Sequence, residues 1–284
     1  MPDRSAATPA PDSLATAAAI GVLAYVSADV AHHVAGHGGA CRALGGHIEL
    51  ITSVYARCSC KSAWVDLAGP LANLLLGAGA LGAVRFRPQL SGAARLFLVQ
   101  AAGFNLFYFA GQLVFDMLVR TDDWAWPLRY FRVPEPLRYG LLAAGLGAYG
   151  QTVRLLGRQL APFARPRARA TGLVGSAWAA AGLVACATAA LDHPAGRAVL
   201  YHAIPQALLL PLGLWALPAR AARGPASHHA PPLAFSAPWV VGAVVVAVAS
   251  VWVLGPGFGT AALFPLGAWG RAPARPQGSG LGLE

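Results

Sequence analysis

Runs of about 20 apolar residues, the length an α-helix needs to cross a hydrocarbon core, recur along this chain, as in AWVDLAGPLANLLLGAGALGAV and APWVVGAVVVAVASVWVL. In lipid, a backbone can satisfy its polar groups only within a helix or a closed barrel, so such runs admit little besides a helical bundle. With 56% hydrophobic and 11% charged residues and a mean hydropathy of +0.53, the chain is too apolar for an ordinary soluble domain. The expected fold is an all-α polytopic membrane protein with about six transmembrane helices, or seven if the proline-broken stretch 198–218 also crosses. After the first long run, HIELITSVY is rich in β-branched residues and too short to span, so a strand or hairpin is expected there.

The formal charge of +10 would suggest nucleic acid in a soluble protein. Here the basic residues lie in loops between spans, where they meet anionic headgroups, so the expected partner is the lipid bilayer and no nucleic acid. The loop from Arg154 to Arg169 is the densest in arginine and favours the cytoplasmic side, although the two faces carry nearly equal numbers of basic residues. Cys41, Cys58, Cys60 and Cys186 are too few for a disulfide framework. Cys58 and Cys60 sit too close for an easy mutual bridge, which leaves a free pair or one bond to Cys41. The N-terminal run lacks a basic leader and continues too long for a cleaved signal peptide, so it is expected to be a retained span.

The chemistry gathers in the first half. Residues 1–12 read as a tail, 13–126 as a membrane core, 127–255 as further spans rich in small residues, and 256–284 as a disordered tail. The segment HHVAGH places three histidines within six residues of an apolar helix. A lone histidine there is ordinarily a packed, hydrogen-bonded residue; three at membrane depth point to a site. On α-helical spacing His33 and His37 share a face and can share a metal ion, with Asp29 one turn before and Cys41 one turn after. A third ligand must then come from another span.

The order HHVAGHGGACRALGGHIELI, then DLAGPLANLLLG, then an Asn-bearing span ending in aspartates resembles the site-2-protease family of intramembrane zinc metalloproteases over about residues 15–126. The resemblance implies one zinc ion, held by His33, His37 and Asp123, with His32, Asp116 and Asp122 as alternative ligands. It also implies that Asn73, Asn105, Gly69 and Pro70 line a substrate cleft, and that the substrate is a transmembrane segment of another protein.

The sequence departs from that family at the residue that does the chemistry. The family's glutamate, which takes a proton from the attacking water, is replaced by Val34 if the motif begins at His33. If the motif begins at His32, with one extra residue before His37, the position is His33. The chain's three glutamates, Glu49, Glu135 and Glu284, all lie elsewhere. Asp29, Asp66 and His32 are the candidates for a substitute base. A catalytically inactive relative that binds membrane partners is therefore the alternative expectation. A histidine-box oxygenase would need more clustered histidines than His193, His202, His228 and His229 offer. A transporter built on Asp29, Asp66 and Asp116 would be expected to show an internal repeat, which the sequence lacks.

Overall fold

The structure is a computed structural model and describes residues 11–192, 199–223 and 230–260; most of both expected tails, with His193, His228 and His229, lies outside the described residues. Helix α1 runs Leu14–Ala43, α2 Ala63–Phe86, α3 Gly92–Val119, α4 Asp122–Tyr130, α5 Glu135–Leu160, α6 Arg167–Ala189, α7 Val199–Ala222 and α8 Ala237–Leu254. Six of these, all but α4 and α5, are long and apolar enough to span a bilayer. The proline-broken stretch is among them, with π and 3-10 turns around Pro205 and Pro211. Helix α5 forms where a span was expected, but its arginines and glutamines keep it out of the apolar six. Strands β1 Ile48–Ile51 and β2 Ala56–Cys58 form the expected hairpin, antiparallel, with Ile51 opposite Ala56.

Small residues set how closely the helices approach, as they do where lipid gives no hydrophobic drive to pack. On α6, Ala177, Ala181 and Ala185 recur every fourth residue, and all are buried. They receive α1, where a Cβ on Gly21 would run into the Ala177 backbone. Helix α3 is the most enclosed span, packed on α1, α2 and α5.

The two ends of α1 are fixed by different means. At its start, Ser13 caps the first turn by accepting from the Thr16 N–H at 3.2 Å. Asp12 receives Arg169 Nε and Nη2 at 2.7 and 2.9 Å and the Leu233 N–H at 2.6 Å. Burial pushes the Asp12 carboxyl up, but these partners outweigh it and hold it below the ordinary value. A depressed carboxyl contributes stability above its ordinary value and loses it as pH falls through the folded value. Asp12→Asn is thus expected to cost about 1–3 kcal/mol near neutral pH, read as a lower thermal midpoint in detergent. The gap to wild type should close in acid, and a gap independent of pH would sink this account.

At the other end, the β-hairpin meets the end of α8 and the residues after it, with the Ser53 N–H donating to Leu254 O and the Ile51 N–H to Phe258 O. A disulfide joins Cys41, in the last turn of α1, to Cys58 on β2. Arg169 therefore marks one end of α1 and the hairpin the other, separated by 30 residues of helix.

Candidate metal centre

Between Val30 and Gly38 the backbone of α1 winds as a π-helix. Bonding from i to i+5 brings residues five apart onto one face, so His37 meets His32 directly, Nε2 to Nε2 at 3.1 Å, while a ring nitrogen of His33 lies within 4.8 Å of both. The extra residue between His32 and His37 is absorbed in the wider turn. His33 is left beside Asp29, its Nε2 3.7 Å from Oδ1, and neither ring nitrogen has a hydrogen-bond partner.

Hydrogen bonds fix which nitrogen each ligand-face imidazole presents. The Asn105 amide donates to Ala101 O at 2.8 Å, and the Asn73 amide donates to Asn105 Oδ1 at 2.9 Å and to Ala28 O at 3.0 Å. Asn73 Oδ1 is thereby turned to accept from His32 Nδ1 at 2.7 Å. His37 Nδ1 donates to the Val65 carbonyl at 2.7 Å. Both rings so spend their Nδ1 protons outward and aim Nε2 lone pairs inward, the arrangement that outer hydrogen bonds impose on metal-binding histidines.

The third group arrives from α4. Arg120 (φ 63°) and Asp122 (φ 75°) turn the chain sharply after α3, and Asp116 accepts the Trp124 N–H at 2.9 Å, anchoring the first turn of α4. Asp123 Oδ2 then lies 2.9 Å from His32 Nε2 and 3.3 Å from His37 Nε2, and accepts from Gln112 Nε2 at 2.8 Å.

Three acceptor atoms thus form a triangle with edges of 2.9, 3.1 and 3.3 Å. One shared proton serves at most two of those edges, whereas a divalent cation serves all three. Zinc bound at about 2.0–2.1 Å in tetrahedral geometry separates its ligands by roughly 3.3 Å, so two imidazoles and a carboxylate at these spacings fit it in donor type and in distance. Glycine completes the arrangement: a Cβ on Gly69 would collide with the His37 ring and lie 2.9 Å from His32 Cε1, while one on Gly36 would press on the Ala68–Gly69 backbone at 2.7 Å.

Of the residues expected from sequence, His32, His37, Asp123, Asn73, Asn105 and Gly69 come together, and Pro70 follows Gly69 buried in α2. Asp116 holds the α3–α4 turn instead of facing the imidazoles. Asp122 makes no hydrogen bond or ion pair to them. Asp66 lies close enough to feel the Asp123 charge but bonds to neither Asp123 nor His37. Two residues escaped the sequence reading. Gln112 holds Asp123, and the Tyr108 ring lies edge-on to His32, centroids 4.7 Å apart, with its hydroxyl buried and unpartnered. The signal for both was present, because Asn105, Tyr108, Gln112 and Asp116 recur at three- and four-residue spacing along an apolar helix.

The fold and this cluster define a multi-pass helical membrane protein with a buried histidine–carboxylate centre. No family model, curated protein or solved structure matches the chain.

Proposed function

We propose that this protein is a membrane-embedded zinc hydrolase of the site-2-protease kind, acting on a peptide bond in a transmembrane segment of another protein. The observation that carries the reading is the triangle of His32 Nε2, His37 Nε2 and Asp123 Oδ2, each edge near the separation of zinc ligands. These three residues would hold the ion, which when bound supplies a Lewis acid and an acidified water. His32 and His37 are oriented by Asn73 and Val65, and Asp123 by Gln112. With the motif beginning at His32, His33 occupies the position of the family's glutamate. Its two ring nitrogens are unpartnered, and Asp29 stands beside it, Oδ1 3.7 Å from Nε2.

A second reading has its own support. The three imidazoles are only 2, 3 and 5% exposed, and no glutamate stands in the motif. A metal-bound relative that engages membrane partners without cutting them would share every feature of the site.

Reconstituting zinc-loaded protein with a library of transmembrane peptides separates the two. Hydrolysis is expected to produce new peptide termini by mass spectrometry, stopped by chelator and by Asp123→Asn. A fully zinc-loaded protein that leaves every peptide intact supports the second reading.

A further inference from the structure

We infer that Cys60 is the entry thiol of a thiol–disulfide exchange site that makes and breaks the Cys41–Cys58 bond, with an external disulfide or thiol as its reaction partner. The inference is independent of the hydrolase reading. Cys41 is 1% exposed, so an external reagent reaches the bonded pair poorly from that side. Cys60 is free and partly exposed. Its Sγ lies 3.0 Å from the Cys58 Sγ, and its own N–H donates to that sulfur at 3.4 Å. That separation is within the roughly 3–3.5 Å of a near-attack arrangement. Glycine makes room for two of the sulfurs: a Cβ on Gly46 would stand 2.7 Å from the Cys58 Sγ and 2.8 Å from the Cys60 Sγ.

The exchange balances in three transfers. In the reduced protein the Cys60 thiolate attacks an external disulfide, forming a mixed disulfide and releasing one external thiol. The Cys58 thiolate then attacks the Cys60 sulfur, closing a Cys58–Cys60 bond and releasing the second. Finally the Cys41 thiolate attacks the Cys58 sulfur, the Cys41–Cys58 bond forms, and Cys60 leaves as a thiolate and recovers a proton. Two protein thiols are oxidised, one external disulfide is reduced, and the protons of Cys41 and Cys58 end on the two released thiols. The reverse sequence opens the bond. Because Cys58 and Cys60 are only two apart, their bond is a short-lived intermediate that passes on to Cys41.

Its place in the fold gives the exchange a consequence. Cys41 follows His37 by one turn, and the bond ties the histidine helix to the hairpin. Disulfides persist on the oxidising face of a membrane, and this end lies opposite the Arg154–Arg169 loop, whose charge favours the cytoplasm.

The test follows bond formation and opening in the full-length, detergent-purified protein in glutathione buffers, with alkylation and peptide mapping. Cys60→Ser and Cys60→Ala are run beside wild type, and Cys186→Ser serves as the control. Both Cys60 variants are expected to slow approach to equilibrium by at least about tenfold, with the same final fraction of Cys41–Cys58 bond. Wild type and the Cys186→Ser control should yield a glutathione adduct at Cys60. Equal rates in wild type and the Cys60 variants, or a resting protein without the Cys41–Cys58 bond, would overturn the inference.

Discussion

His32→Ala is expected to strip zinc from the purified protein, whereas His33→Ala keeps about one ion per chain. Spacing on an ideal α-helix predicts the reverse, because it pairs His33 with His37. The π-turn moves His32 into that place, 3.1 Å from His37 Nε2 and 2.9 Å from Asp123 Oδ2. His37→Ala and Asp123→Ala should each match His32→Ala. Asn73→Ala removes only an outer partner, and such losses weaken metal affinity about 10- to 100-fold; loss of a direct ligand should exceed that. Gly69→Ala deletes no donor, yet its methyl intrudes on the His37 ring, so it should lower occupancy as well. Elemental analysis of protein purified without chelators reads all of these. Zinc lost with His33 and retained without His32 would refute the assignment, and no zinc in wild type would remove the metal centre altogether.

The second large effect concerns His33 as the proton acceptor. Given the hydrolase reading, His33→Ala should lower kcat about 10²- to 10⁴-fold, the usual contribution of a general base, with zinc content unchanged. His33→Glu restores the family's residue in the register that starts at His32 and should cleave at least as fast as wild type. Val34→Glu, the substitution that ideal α-helical spacing would select, should gain nothing, since Val34 is not the residue that follows His32. Turnover of a cleaved transmembrane peptide measures all three. An undiminished kcat in His33→Ala would remove this histidine from the chemistry.

How much of the site was legible follows from what each residue depended on. His37 could be read from helical spacing, whereas Asn73, Asn105 and Gly69 came from the resemblance that motif order carries. Asp123 too was reached through that resemblance, because α4 is too short and polar to announce that it folds back on the histidines. His32 was read only as an alternative ligand because the sequence carries no mark of a π-turn. One residue too many between two ligands is compatible with either winding until the ligands must meet a third group from another helix. Tyr108 and Gln112 were visible as a polar series but had no stated partner until α3 was placed against α1 and α4.

The sequence by itself determined the class of fold: runs of apolar residues long enough to span leave the backbone no satisfied state in lipid other than a helix, and the β-branched stretch after the first span became the hairpin. It also determined the kinds of donor available to a metal. Tertiary structure alone decided which donors converge, because convergence depends on the π-turn in α1, the sharp entry into α4 and the close approach that Gly36 and Gly69 permit between α1 and α2. Each of these sets a position to within an ångström or so through contacts between segments far apart in the chain, and the spacing of residues along one segment holds no record of them.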